Sequence, residues 1–383
     1  MTRRVVNVGI VGGGLMGREV AGAIQRWPTL IDHPVDARIT AVADIDPAAL
    51  EWFDAIPTVR GRYTDHRALL ADPDIDAVYI AVRHDLHEQL YVDAIRAGKA
   101  LLAEKPFGID LAAARRIVSA IDDTPGAFVR CSSELPFYPG AQWALSAIGS
   151  GRLGRIFSVR AAMLHASDLD PDKPINWKRQ ARFNGASGVL NDLGMHALHI
   201  PLRLGWEPES VFALLQDIVP ERPGPDGMVR ADTWENAELL THVRSSSDDF
   251  SLRIETKRIS LGDKNTWSLE VQGMEGGVRF STKNPKSAEF FARADLPGVG
   301  REQVWQQADS GSVSVWPTVT GPNFEFGFAD SILQMWAAFL AEYVGELGDR
   351  FGCATPREAL GAHRVIDAAL ASHATGRAVA PPV

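Results

Sequence analysis

A chain of 383 residues, 45% hydrophobic, with 39 basic against 48 acidic residues and a net charge of −9, is long enough for two or three domains with substantial cores. No basic run dominates, which excludes nucleic acid as the main partner, and no apolar stretch reaches transmembrane length, which excludes a helical membrane span. The two cysteines, Cys131 and Cys353, give neither a metal-ligand spacing nor a disulfide framework, so a reducing, cytoplasmic setting and no metal are expected.

Val5 to Val11 is a short apolar run of the buried-strand type, and Gly12-Gly13-Gly14-Leu15-Met16-Gly17 follows at once. Gly12, Gly14 and Gly17 fill a G-x-G-x-x-G pattern that leads into an amphipathic helix, Leu15 to Trp27. In that pattern the first glycine permits the tight turn, the second lets backbone amides approach a pyrophosphate, and the third allows helix to pack on strand. The amino end of the helix favours the anion. After a Pro- and Asp-rich connection, Pro28 to Asp36, the strand Ala37 to Ala43 delivers Asp44, 27 residues beyond Gly17. An acid there accepts hydrogen bonds from the adenosine ribose and repels a 2′-phosphate, and the following Ile45-Asp46 offers no arginine, so NAD is expected over NADP. Gly12, Gly14, Leu15, Met16, Gly17 and Asp44 form the core of the expected cofactor site.

Strands and helices go on alternating: Asp76 to Val82 as strand, Leu86 to Ala97 as helix, Ala100 to Ala103 as strand, Asp110 to Ile121 as helix and Ala127 to Cys131 as strand. The pattern predicts a doubly wound parallel sheet, a Rossmann domain over residues 1–131. Glu104-Lys105-Pro106 lies where the strand Ala100 to Ala103 ends, and ligands of such sheets bind outside the carboxyl ends of the strands. Pro106 restricts Lys105 to extended backbone, which aims the ammonium.

From Ser132 the grammar changes, and residues 132–383 read as an α+β domain with a mostly antiparallel open sheet. A helix near Ala141 to Ile148 precedes strand-like runs at Arg155 to His165, Glu209 to Ile218, Glu235 to Val243, Phe250 to Ile259, Thr266 to Gln272 and Gly277 to Ser281. Pro220 to Asp226 reads as a loop and Asp295 to Gly321 as irregular. Two helices, Asp330 to Glu346 and Arg357 to His373, end the chain, and a terminal helix is expected to pack back on the first domain. In Val211 to Gln216 both faces are apolar for most of the length, which predicts a sheet covered on both sides and hence a homodimer or homotetramer.

A second constellation is Gly188-Val-Leu-Asn-Asp192-Leu-Gly-Met-His196. On a helix Asp192 and His196 stack four apart on one face, with His199 and Arg203 continuing it. Leu193, Ala197, Ile200 and Leu204 form an apolar stripe beside them, so the Asp/His side is expected to face a cleft. Pro201 predicts a kink one turn after His196. Ahead of this helix lies a cationic stretch with Lys173, Trp177, Lys178, Arg179 and Arg182. Trp177 offers a sugar a flat apolar face, and the arginine forks match a carboxylated, phosphorylated or sulfonated group.

Together the glycine turn, Glu104-Lys105-Pro106 and the Asp192-x-x-x-His196 helix make the chain resemble the glucose-fructose oxidoreductase, inositol dehydrogenase and MocA-like (Gfo/Idh/MocA) family. Phe137-Tyr138-Pro139, Gly151-Arg-Leu-Gly154 and His373-Ala-Thr-Gly376-Arg377 extend the resemblance over the whole chain. It implies that Lys105 contacts cofactor and substrate, beside Glu104, and that Asp192 and His196 lie over the nicotinamide. It also implies that the Arg83-His84-Asp85-Leu86-His87 segment contacts the cofactor through His84 and His87, although relatives often read Pro-Asn where this chain has His84-Asp85. Trp177, Lys178, Arg179, Arg182 and His199 are the expected substrate contacts, His199 standing where many relatives carry an acid. The implied reaction is NAD-dependent oxidation of a ring hydroxyl of a sugar or sugar derivative, anionic ones included. A general base, His196, takes the hydroxyl proton, Lys105 stabilises the alkoxide and Asp192 orients both partners. Two other readings use the same residues or fewer: a redox glycosidase, in which the same NAD oxidises C3, the aglycone is eliminated, water adds and the hydride returns, and a non-catalytic NAD-binding regulator.

Overall fold

The computed structural model describes residues 3–244, 249–296, 300–309, 314–319, 321 and 324–383. The chain divides into two units, the first formed by Met1–Phe137 with Ser314–Leu360, the second by Tyr138–Val313 with Gly361–Val383. Compared with the expected boundary at 131/132, the first unit runs slightly further and takes back a later segment.

Unit 1 opens with β1 (Arg4–Val11), α1 (Leu15–Gln25), β2 (Val35–Ala43), α2 (Pro47–Glu51), β3 (Gly61–Tyr63), α3 (His66–Ala71), β4 (Ala77–Ile80), α4 (His87–Arg96), β5 (Ala100–Ala103), α5 (Leu111–Asp122) and β6 (Val129–Cys131). The strands form one parallel sheet in the order β3-β2-β1-β4-β5-β6. Every residue of β4 and β5 is buried, as expected of apolar runs covered on both faces. Helix starts are set locally: Asp46, Asp65 and Asp110 each accept a backbone N–H at the head of α2, α3 and α5. The strand order reverses between β1 and β4, and the glycine turn leaves β1 at that switch point.

Unit 2 contains α6 (Pro139–Gly149), β7 (Ile156–Leu164), α7 (Ala181–Asn184), α8 (Val189–Arg203), β8 (Pro208–Gln216), β9 (Glu221–Gly224), β10 (Gly227–Arg230), β11 (Asn236–Arg244), β12 (Asp249–Lys257), β13 (Thr266–Gly273), β14 (Gly277–Ser281), β15 (Ser287–Leu296) and β16 (Gly300–Asp309). Among the described residues, eight strands form a mixed sheet, β16-β15-β14-β13-β7-β12-β11-β8, antiparallel except for the parallel pair β7/β12. One face alternates inward through Val159, Ala161, Leu239, Leu252, Ile254, Leu269 and Val271, and α8 packs against the strands on which they lie. The Trp267 indole N–H donates to the His196 carbonyl at 2.8 Å, tying α8 to β13.

Three sequence expectations need correction. The Pro220 to Asp226 stretch is not a loop: β9 and β10 pair as a hairpin closed by Pro225-Asp226, with Gly227 at φ +126°. Within the range expected to be irregular, Asp295 lies in β15, which pairs with β16, while parts of Asp295 to Gly321 lie outside the described residues. Both hairpins are rich in polar residues, so their strands lack the apolar pattern that reveals the others. The helix bearing Asp192 and His196 does not expose one side: α8 is buried from Val189 to Leu202 and continues through Pro201 to Arg203.

The chain then adds α9 (Phe328–Tyr343) to unit 1, buried from Ser331 to Ala341 and packed on α1. Its burial on every side is that of a core helix rather than a surface one, and the buried Gln334 side chain is satisfied by the Trp316 backbone. Ile332, Trp336, Phe339 and Leu340 share one core with Val20, Ile24 and Trp27. The final helix α10 (Pro356–Thr375) begins in unit 1 and lies in unit 2 from Gly361 onward. No helix among the described residues is long and apolar enough to cross a membrane.

Candidate active site

In unit 1 the cofactor pattern has the geometry that its glycines require. Gly12 sits at φ +103°, and a Cβ there would come within 2.1 Å of the Ala81 carbonyl oxygen. A Cβ on Gly17 would come within 2.0 Å of the Gly12 carbonyl oxygen, so α1 can approach the turn only through glycine. At Gly14 a Cβ would meet nothing within 4 Å, which leaves that side of the turn open to a pyrophosphate. The α1 amino end has no side-chain cap and no acid in its first turn. Its amides and dipole therefore suit an anion, and the turn fits NAD. Asp44 is fixed beside it, one carboxylate oxygen accepting from Gly13 N–H at 2.7 Å and the other from Asp46 N–H at 2.9 Å. Leu15 is exposed, while Met16 is half-buried against the core.

The Lys105 segment is braced from below. Glu104 is buried, and its carboxylate accepts from the Tyr79 hydroxyl at 2.5 Å and from the Lys105 N–H at 3.1 Å. The Tyr91 hydroxyl donates to the Glu104 carbonyl at 2.6 Å. Glu104 thus holds the backbone of Lys105, and the Lys105–Pro106 peptide is cis. His87 is wholly buried, its ring nitrogens 2.7 Å from the Pro106 carbonyl and 3.1 Å from that of Val82. Burial lowers its pKa to about 4, so the ring is neutral and its single N–H can donate to only one of these carbonyls, that of Pro106 at the shorter distance. His84, also buried, lies against it with ring centroids 5.3 Å apart.

Sequence reasoning missed Glu134, a buried acid just beyond β6. Burial, followed by the nearby Glu104 carboxylate, raises it from 4.5 to about 7, against an opposing pull from Lys105. Its signal was an acid set in the otherwise uncharged Cys131 to Tyr138. The folded protein keeps this proton while the unfolded chain releases it, so stability falls as pH rises from 4.5 to about 7. Glu134→Gln is therefore expected to melt higher than the parent at pH 8, by an effect on the order of 3 kcal/mol, with the difference closing near pH 5. Equal melting temperatures at pH 8 would contradict this.

In unit 2, α8 carries Asp192 and His196 one turn apart, each at most 3% exposed, with His199 wholly buried on the same helix. Gly188 caps the helix at φ +57°, where a Cβ would come within 2.6 Å of the Trp234 backbone. The Lys178 ammonium lies 3.1 Å from Asp192 Oδ1, and Arg258 also pairs with Asp192. Lys178 and its neighbour Trp177 belong to a 3₁₀ turn opened by Asn176, which accepts from Lys178 N–H at 2.9 Å; the Lys178 ammonium lies 5.5 Å from the Trp177 ring centre.

The cationic stretch is engaged within the chain. Arg179 is wholly buried and pairs with Asp168 at 2.8 Å, and Lys173 pairs with the same carboxylate at 2.9 Å. Arg182 donates to the Gln180 side chain at 2.8 Å and lies over the Phe183 ring. Burial pushes Asp168 up, but Arg179, Arg258 and Lys173 outweigh it and hold the carboxyl below its ordinary range. Burial and then Arg179 lower Arg258 to about 9, which leaves it protonated at neutral pH. A further buried pair, Arg222 with Glu235 at 3.0 Å, adjoins this group through the Asp168 carbonyl. Asp168, Arg222, Glu235 and Arg258 were not legible as site residues, because nothing local in sequence marks their pairing.

Comparison with known proteins places these two units. Residues 6–129 match the model of an oxidoreductase family with an NAD-binding Rossmann fold, and residues 142–279 match the GFO/IDH/MocA C-terminal domain. A levoglucosan dehydrogenase of Pseudarthrobacter phenanthrenivorans is 27% identical over 72% of this chain and 73% of its own length. An inositol 2-dehydrogenase of Rhizobium meliloti is 27% identical over 74% of this chain and 78% of its own. A solved levoglucosan dehydrogenase in complex with NADH and levoglucosan shares the fold with a TM-score of 0.86 and 24% identity, covering 99% of this chain and 100% of the other.

Proposed function

The chain belongs to the Gfo/Idh/MocA family of oxidoreductases, with an NAD-binding Rossmann domain, and from this premise we propose that it oxidises a ring hydroxyl of an uncharged sugar or polyol. The observation that carries the reading is the buried Asp192 carboxylate, held by Lys178 and Arg258 one helical turn from His196. NAD supplies the hydride acceptor. His196 takes the hydroxyl proton, Lys105 stabilises the alkoxide as charge develops, and Asp192 orients the substrate and the imidazole. Glu104, Tyr79, Tyr91 and His87 keep the Lys105 backbone fixed.

The preference for an uncharged substrate rests on the engaged cations. Lys173, Lys178 and Arg179 pair with carboxylates already in place, with which an anionic group would have to compete, while Arg182 donates to the Gln180 side-chain amide. Trp177 then serves as the flat apolar face for a sugar ring. The named relatives act on levoglucosan and inositol, so an anhydrosugar and a cyclic polyol lead the substrate panel. NADH formed in step with substrate consumption tests the reading.

We also propose that the protein is a homodimer or homotetramer joined through the unit 2 sheet. On β8, Val211, Ala213 and Leu215 point inward, while Phe212 and Leu214 stay 46% and 52% exposed. Leu240 of β11, opposite Phe212 in register, is 54% exposed and extends the apolar patch. Light scattering at micromolar concentration should give a multiple of 41.6 kDa, and Leu240→Glu should lower the assembly's mass. A parent protein of monomer mass would contradict the proposal.

A further inference from the structure

The parallel pair β7/β12 has a consequence for the α8 site. Parallel neighbours end at the same edge of a sheet, so the segments following β7 and β12 emerge side by side. His165 N–H donates to the Lys257 carbonyl at 2.7 Å, Asp168 N–H to the Arg258 carbonyl at 3.2 Å, and Ser260 N–H to the His165 carbonyl at 2.9 Å. Arg258 N–H in turn donates to the Glu235 carbonyl at 2.9 Å, so its backbone is tied on both sides. From this anchor its buried guanidinium stands between two carboxylates, pairing with Asp192 and lying 3.8 Å from Asp168. Asp168 is itself clamped by Arg179 and Lys173.

We propose that Arg258, braced by Asp168 and Arg179, is the positioning residue that holds the Asp192 carboxylate in its working orientation on α8. The inference rests on the proposed role of Asp192 and deepens it. Lys178 alone is ill suited to hold that carboxylate, because it is a point charge on a flexible stem and its side chain is 33% exposed. Arg258, at 6% side-chain exposure, presents a planar fork from a fixed strand end, and a buried carboxylate without such a partner would turn toward other donors.

The test uses the full chain with Arg258→Met, Arg258→Lys and Asp168→Asn. In steady-state kinetics with the best neutral sugar or polyol, Arg258→Met is expected to lower kcat about a hundredfold, the scale of a reacting group displaced by about 1 Å. Its Kd for NAD should stay within about twofold of the parent, because the change lies outside the cofactor turn. Arg258→Lys, which keeps the charge, should recover about a third or more of the lost factor on a logarithmic scale, and Asp168→Asn should lose about tenfold in the same direction. An Arg258→Met kcat within about threefold of the parent, or an equal loss of NAD affinity, would overturn the proposal. If Arg258→Met fails to fold, the Arg258→Lys and Asp168→Asn variants decide by the same split. Crystal structures of the variants give a readout independent of turnover. A displaced Asp192 carboxylate supports the positioning role even if no sugar is oxidised, an outcome that would sink the proposed substrate class alone. An unmoved Asp192 in Arg258→Met overturns the positioning role.

Discussion

Replacing Lys105 or His196 with alanine is expected to lower kcat at least about a hundredfold, the scale of a lost electrostatic or acid-base group. The Lys105 backbone is held by Glu104, whose carboxylate and carbonyl are held by Tyr79 and Tyr91, and His87 secures the Pro106 carbonyl. Lys105→Ala therefore removes an ammonium and leaves the loop in place. At His196 the backbone carbonyl remains bonded to the Trp267 indole in the alanine variant, so α8 keeps its seat on β13 while the base is lost. NAD affinity should change far less in His196→Ala than kcat does. Full activity of His196→Ala would refute the base assignment and move attention to Asp192 and His199.

NAD is expected to bind at least tenfold more tightly than NADP, equivalent to about 1.4 kcal/mol. Both carboxylate oxygens of Asp44 are committed to backbone N–H groups of Gly13 and Asp46, so the acid cannot swing away from a 2′-phosphate. Ile45 and Asp46, next along the chain, bring no cation to offset the repulsion. Asp44→Ser should narrow the ratio chiefly by improving NADP binding. Equal dissociation constants for the two cofactors in the parent protein would contradict this account.

The first unit was readable because its determinants are local. Buried parallel strands such as Ala77–Ile80 and Ala100–Ala103 stand out as short apolar runs, and the steric demands at Gly12 and Gly17 arise within the turn or from the adjoining strand end. Gly61–Tyr63 escaped notice because three residues carry no periodicity. In the second unit the strands with clean inward alternation were legible, whereas β9, β10, β15 and β16 were not, being rich in polar residues. The cationic stretch shows the same limit at the site. Sequence shows the charges of Lys173, Lys178 and Arg179, but the partners Asp168 and Asp192 are found only once β7, β12 and α8 are assembled. Glu134 was hidden for a related reason: its proton affinity comes from burial and from Glu104, and neither is visible in a linear motif.

Net oxidation of a neutral ring hydroxyl by NAD is distinguished from the other readings by product analysis. The purified protein is incubated with NAD and a panel of levoglucosan, inositols, free sugars and glycosides, with anionic sugars included, while NADH and released products are quantified together. The account predicts NADH formed in one-to-one ratio with a ketosugar or ketopolyol from an uncharged member of the panel. Aglycone released without net NADH would contradict it in favour of a redox glycosidase, and tight NAD binding with no turnover of any carbohydrate would contradict it in favour of a regulator.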